Sequence, residues 1–252
     1  MDGLTRAAPE TGAWLALLLA LACTGSKTEE PVVSTAGGKT DVSEAGTSVA
    51  RRGKSLVRLV NAIPGDRTID LSGDDRTVFF DVGYKTVTPY TEIGDNVVKF
   101  RLRPGGTDSV WADNTETLIN GNRYTIVVLP NRDAGARIVV LTDDVVTDTG
   151  KARLRVVNAA GPYSDVDVGI EGRSDPVFDD LAYGSAAGFK DVDPASAVIV
   201  VRQDEPPLTA LRMQRLRLEA GKSYTIVIAG DKTGALQAIT VTDAIRPTRT
   251  GS

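Results

Sequence analysis

The 252-residue chain contains no histidine. This excludes the usual general base near neutral pH, the Ser/His/Asp and Cys/His nucleophile systems, and every zinc site built on imidazole. With a single cysteine, Cys23, no intramolecular disulfide can form. The apolar run from Ala13 to Ala22, AWLALLLALA, is about half the ~20 residues that cross a bilayer as a helix. There is no basic excess either: the formal charge is −4, which argues against nucleic acid or an acidic membrane surface as a partner. Nor does any stretch carry a helical stripe of apolar residues.

What is present describes a globular chain with many turns. It is 41% hydrophobic and 25% charged, enough to bury a core, and 25 glycines and 12 prolines punctuate it. Its length suits two domains of roughly 100–150 residues.

The short apolar run fits the core of a signal peptide, which places cleavage after residue 22 and export of the chain. Cys23 follows it directly, ahead of Thr24, Gly25 and Ser26. This arrangement resembles the lipobox of bacterial lipoproteins, with Ala20 where leucine is usual. The resemblance implies that Cys23 carries a lipid, and Thr24 beside it implies an outer-membrane address in a diderm cell. From residue 23 to 54 the composition is Ser, Thr, Gly, Glu and Ala, too poor in large apolar groups to offset its ordering entropy. A disordered tether of this length holds the folded part roughly 30 Å from its anchor. Arg51, Arg52 and Lys54 are expected to be its solvated end.

Beyond the tether the chain is written twice, over 55–146 and 152–244, with a tail at 245–252. Arg58, Leu59, Val60, Asn61 and Ala62 return as Arg155, Val156, Val157, Asn158 and Ala159. Val78, Phe79 and Tyr84 return as Val177, Phe178 and Tyr183, and TLINGNRYTIVV (Thr117 to Val128) as RLEAGKSYTIVI (Arg217 to Ile228). Thr142-Asp143 pairs with Thr242-Asp243. Val98, Phe100 and Leu102 alternate with Lys99, Arg101 and Arg103, the period of a strand with one buried face. Turn signals divide each half into about seven strands. Each half also holds a Leu-x-x-Gly-x-x-Tyr segment: Leu118, Gly121, Tyr124, then Leu218, Gly221, Tyr224. This pattern resembles the tyrosine corner of Greek-key sandwiches. The expected fold is all-β, two tandem immunoglobulin-like Greek-key sandwiches after the tether.

The Arg-Val-Val-Asn-Ala opening, the Val-Phe then Tyr-Gly middle, the Ala-Gly-Lys-Ser-Tyr-Thr strand and the Thr-Asp close resemble the DUF4397 family, most densely over Ala152 to Asp243. That resemblance implies a structural scaffold and supplies no catalytic residues.

Candidate chemistry is sparse. The doublets Asp74-Asp75, Asp143-Asp144 and Asp179-Asp180 offer calcium ligands only if loops converge, and otherwise read as solvated loop ends and turn caps. The basic groups Lys99, Arg101, Arg103 and Arg212, Arg215, Arg217 offer a surface to an anionic polymer, or simply keep strands soluble. Gly221-Lys222-Ser223 lacks the upstream glycine of a phosphate loop and opens a strand rather than a helix. Trp111 has no counterpart in the second half and reads as a core residue. The expected function is therefore that of a non-enzymatic, lipid-anchored envelope protein without cofactor or metal. Its role is to bind or to build, with an envelope protein or a glycan as partner. A calcium- or glycan-binding adhesion module is the competing reading, and an enzyme with a carboxylate site is a third.

Overall fold

The computed structural model describes residues 49–94, 96–132, 134–143, 150–203 and 208–244. The expected signal peptide, Cys23, most of the tether and the C-terminal tail lie outside them. All described residues belong to one compact unit, Thr40–Ser252.

The first copy comprises β1 (Ser55–Asn61), β2 (Ile69–Gly73), β3 (Arg76–Val82), β4 (Thr91–Ile93), β5 (Val97–Pro104), β6 (Ala112–Thr117), β7 (Arg123–Pro130) and β8 (Ala136–Thr142). They form two four-stranded sheets, β4-β1-β7-β8 and β3-β2-β5-β6. The chain crosses between the sheets after β1, β3, β4 and β6. As a result β1 lies beside β7 in parallel, with Leu59 opposite Ile126, while the other pairings are antiparallel.

The second copy repeats this order with β9 (Ala152–Ala159), β10 (Asp165–Ile170), β11 (Phe178–Ala182), β12 (Lys190–Val192), β13 (Ala195–Ala197), β14 (Ile199–Gln203), β15 (Leu208–Arg212), β16 (Leu216–Leu218), β17 (Lys222–Gly230) and β18 (Leu236–Ala244). Its main sheets are β12-β9-β17-β18 and β11-β10-β14-β15. The counterparts of β5 and β6 are each broken in two, and β13 and β16 form a separate ladder. The strand count thus exceeds the seven per copy that turn signals suggest.

Each sandwich has its own core. Val57, Leu59, Phe100, Leu102, Tyr124 and Ile126 fill the first, and Leu154, Val156, Ile199, Tyr224 and Ile226 the second. Phe79 and Phe178 are buried in these cores, and Trp111 packs half-buried against the first. A third apolar cluster joins the copies. Val60, Ala62, Val127 and Leu129 on the other face of β1 and β7 meet Val157, Ala159, Val227, Ala229, Ile239 and Val241 of β9, β17 and β18. The described residues therefore stack four main sheets, of which the two inner ones are covered on both faces. Strands so placed read as near-continuous apolar runs rather than alternations. That is why β7 and β17 carry Tyr-Thr-Ile-Val-Val and Tyr-Thr-Ile-Val-Ile while β5 alternates. Each Val, Leu or Ile sealed in the seam is worth about 1.5–3 kcal/mol relative to exposure.

Ordered structure starts ahead of Ser55. Residues 49–51 form a helical turn with Val49 buried, and Arg52 and Lys54 pair with Glu92 rather than ending a solvated linker.

Candidate functional site

The most densely bonded polar cluster lies in the seam between the copies, on residues that recur in both halves. Arg58 is 5% exposed and Arg155 3%. Arg58 donates through Nε to Thr125 Oγ1 of its own copy at 2.8 Å and through both terminal nitrogens to the Asp243 carboxylate of the other, at 3.0 and 2.5 Å. Arg155 mirrors it: Nε donates to Thr225 Oγ1 at 2.8 Å, while the terminal nitrogens reach the Thr142 carbonyl at 2.9 Å and the Asp143 carboxylate. An aromatic ring covers each guanidinium, Tyr90 at 4.6 Å from Arg58 and Phe189 at 4.4 Å from Arg155. At the seam's edge the Tyr84 hydroxyl donates to the Gly230 carbonyl at 2.6 Å, and the Tyr183 hydroxyl to that of Pro130. These pairings exchange the roles of the two copies, as an isologous interface between identical subunits does.

The mirror is not perfect. Asp143 also accepts from Thr125 at 2.6 Å and from the Tyr90 hydroxyl at 2.7 Å, and Arg58 approaches it at 3.6 Å. Phe189 can make no such bond. Burial works against the Arg58 charge, but Asp243, Tyr90 and Asp143 outweigh it, and its pKa rises above the usual guanidinium value. For Arg155 burial prevails over Asp143 and the pKa falls. Burial, reinforced by the Asp143 charge, pushes the Tyr90 phenol well above its ordinary range, so Tyr90 stays a donor.

Asn61 and Asn158 serve the fold rather than the seam. The Asn61 amide donates to the Val82 carbonyl at 2.9 Å and its oxygen accepts from the Ile63 nitrogen at 2.9 Å. Asn158 does the same with Leu181 and Ala160. The Leu-x-x-Gly-x-x-Tyr segments are likewise internal. Leu118 and Leu218 are buried, and Gly121 and Gly221 sit at φ 87° and 73°, where a side chain is strained. The Tyr124 hydroxyl accepts from the Ile119 nitrogen at 2.8 Å. The Tyr224 hydroxyl accepts from the Glu219 nitrogen at 2.9 Å and donates to the Arg217 carbonyl at 2.8 Å.

The acidic doublets separate into three cases. Asp74 and Asp75, at φ 46° and 67°, make the two-residue hairpin between β2 and β3. Asp143 is no solvated loop end but the buried partner of Arg155, because the seam closes over it; Asp144 lies outside the described residues. Asp179 and Asp180 stand opposite Asp167 at a bulge, with carboxylate oxygens of all three within 4.8 Å of one another. The first copy has Phe80 and Asp81 opposite Asp70 at the same bulge. Three carboxylates, two of them exposed, fall short of the 6–8 oxygens that calcium takes. Two cations of the strand-face stripe are paired where they stand, Lys99 with Asp113 at 2.9 Å and Arg101 with Asp75, while Arg103 donates to the neutral Ser72 hydroxyl at 2.9 Å. Arg212 is tied to Glu171 at 2.6 and 2.8 Å, and Arg215 lies with it beside a groove at the break between β15 and β16; Arg217 does not line that groove. The sequence reading did not anticipate the Arg58–Asp243 and Arg155–Asp143 pairs, although an arginine inside an apolar strand, present in both copies, was visible.

A family model, "Domain of unknown function (DUF4397)", matches residues 55–169, spanning the first copy and the start of the second. The match thus falls earlier than the stretch where the family features looked densest. No curated protein matches the chain by sequence. Among solved structures, an α-glucan-binding streptococcal virulence factor is 9% identical over 69% of this chain and 92% of its own, with a TM-score of 0.23. A family 26 carbohydrate-binding module from Eubacterium rectale, solved with maltoheptaose, is 9% identical over 77% and 98%, with a TM-score of 0.21. A protein assigned to cell adhesion from Bacteroides uniformis is 11% identical over 77% and 100%, with a TM-score of 0.24. Among the described residues no helix is long and apolar enough to cross a membrane.

Proposed function

We propose that this chain is a lipid-anchored protein of the bacterial cell envelope, at the outer membrane where there is one. Its two copies, both of the DUF4397 type, work as a single rigid binding module and not as an enzyme. Cys23 carries the lipid, the segment up to the first ordered turn is the tether, and Tyr124 and Tyr224 act as the tyrosine corners of the two sandwiches. One observation carries the binding reading. The inner sheets spend their outward faces on each other, and the buried charges Arg58, Arg155, Asp143 and Asp243 are consumed in holding them together. That leaves the two outer sheets and the rim of the seam to meet a partner, on a scaffold stiff enough to present them in fixed relation.

Two measurements test the proposal. Metabolic labelling with a fatty acid is expected to mark the wild-type protein and not Cys23→Ala, and the variant is expected to leave the membrane fraction. Unchanged labelling and fractionation would rule out the anchor. Crosslinking in intact cells is expected to capture an envelope partner. Recovery of the uncrosslinked chain alone counts against a binding role.

A further inference from the structure

A groove of about 610 Å³ opens at the rim of the seam, where the second copy's sixth strand is broken between β15 and β16. In the first copy the corresponding strand, β6, runs unbroken. Half-buried Leu211, Met213 and Leu216, with Leu236 of β18, give it an apolar floor. Among the described residues its charged lining is cationic: Arg212 and Arg215 from the second copy and Lys85 from the first. Nearby Glu171 is paired with Arg212 and also lies within electrostatic reach of Arg215, so it offsets part of this charge. Lys85 spends its hydrogen bond, 2.6 Å long, on the neutral amide oxygen of Gln237, so its charge is not cancelled there. Lys85 also occupies a costly position. It sits at φ 66°, where the second copy has Gly184 at φ 77°, and a left-handed backbone disfavours any side chain.

We propose that this groove binds an amphiphile with one alkyl chain and one anionic head, a carboxylate or a phosphate monoester. The chain lies on the Leu-Met floor and the head meets Lys85 and Arg215. The groove has the volume of a small-ligand site, and its open lining is about as polar as it is apolar, which suits a ligand that is itself amphiphilic. The charge complementarity selects the head, since among the described residues no carboxylate lines the groove to oppose it. The inference rests on the reading of the chain as a binding module and names a ligand for one part of it.

The test is isothermal titration of the soluble protein from residue 24 onward with dodecanoate, dodecyl phosphate, dodecanol and inorganic phosphate, each below its aggregation concentration. Dodecanoate and dodecyl phosphate are expected to bind at one site, at least tenfold more tightly than dodecanol or phosphate. Lys85→Gly relieves the backbone and so leaves folding intact, and Arg215→Glu alters an exposed residue. Each is expected to weaken dodecanoate about tenfold or more, with Leu216→Asp weakening it further. No binding of either amphiphile, phosphate binding as tightly as dodecyl phosphate, or affinities unmoved by Lys85→Gly and Arg215→Glu would each overturn the proposal. None of these outcomes bears on cellular crosslinking, so a failure here leaves the broader binding role to be judged by that experiment.

Discussion

Asp143→Ala is the sharpest probe of the seam. The substitution removes the carboxylate that Arg155 needs and leaves a guanidinium 3% exposed with only the Thr142 carbonyl and Thr225 hydroxyl as partners. It also removes the acceptor to which the Tyr90 and Thr125 hydroxyls donate, although Thr125 still accepts from Arg58. Breaking a buried ion pair from one side costs about 3–5 kcal/mol. With a urea m-value of roughly 2–3 kcal/mol per M for a unit of this size, the unfolding midpoint falls by about 1–2.5 M. Asp243→Ala is expected to cost less, about 1–3 kcal/mol, because the Asp243 side chain is 14% exposed and Arg58 keeps Thr125 and a nearby Asp143. Replacing both members, as Asp143→Leu with Arg155→Met, is expected to recover most of the loss, since the pair's own desolvation then disappears. The assay is equilibrium urea unfolding followed by tryptophan fluorescence and circular dichroism. The wild type should show one coincident transition, because a shared apolar seam couples the two cores. A cost below about 1 kcal/mol for Asp143→Ala, or a larger one for Asp243→Ala, would refute the account of the seam; so would separate transitions for the two copies.

Cutting the chain between the copies, with a protease site introduced at residues 144–149, is expected to leave the fragments co-eluting in gel filtration. Their separation without denaturant would mean that the seam is too weak to join them. Tyr84→Phe and Tyr183→Phe each remove one bond across the seam and are expected to cost about 1 kcal/mol apiece in urea unfolding. Stability should also fall on the alkaline side. The folded state raises the pKa values of Tyr84, Tyr90 and Tyr183, so above pH ~10 the unfolded chain loses protons that the folded chain retains. The stabilisation these phenols provide is complete below that pH and declines as pH rises through the window. Urea midpoints measured from pH 8.5 to 11 should drop less steeply in Tyr90→Phe than in the wild type, and parallel slopes would remove Tyr90 from the account.

The duplication, the strand character and the core phenylalanines and tyrosines were legible because each follows from local pattern: period two on β5, turn residues between strands, and the same tyrosine at the same spacing in both halves. The seam was not legible, for a physical reason. A strand buried on one face declares itself by alternation, but β1, β7, β9 and β17 are buried on both, and a doubly buried strand looks only like a more apolar one. The sequence shows that the second face is covered and not by what. Asp143 illustrates the same limit from the polar side. Its carboxylate reads as the end of a hairpin, and only the approach of Arg155 from the other copy turns it into a buried ion-pair partner. The groove escaped notice because it results from a strand that fails to continue at residues 213–215, and no turn signal marks the break.

The recurrence of Arg58 with Arg155 and of Asp143 with Asp243 takes on a different meaning in this light. In a tandem pair joined face to face by an approximate two-fold axis, each arginine in one copy answers an aspartate in the other, so both copies must keep both residues for both contacts to survive. The tyrosines at positions 84 and 183 obey the same constraint with the carbonyls of Gly230 and Pro130. Shared residues in such a pair therefore report on the fold and on the seam together, and they say nothing of a ligand. A ligand leaves its mark where the symmetry is broken and the break has a cost. Lys85 meets both conditions: it stands in a left-handed backbone position that the second copy gives to glycine, and it carries a charge that Gln237 does not neutralise. The broken strand it faces has no equivalent in the first copy. If Lys85→Gly stabilises the protein by about 1 kcal/mol in urea unfolding, as the backbone geometry requires, then the chain keeps a lysine there against its own stability. Should the variant prove no more stable than the wild type, Lys85 carries no cost at that position and the asymmetry loses its force as a pointer to function.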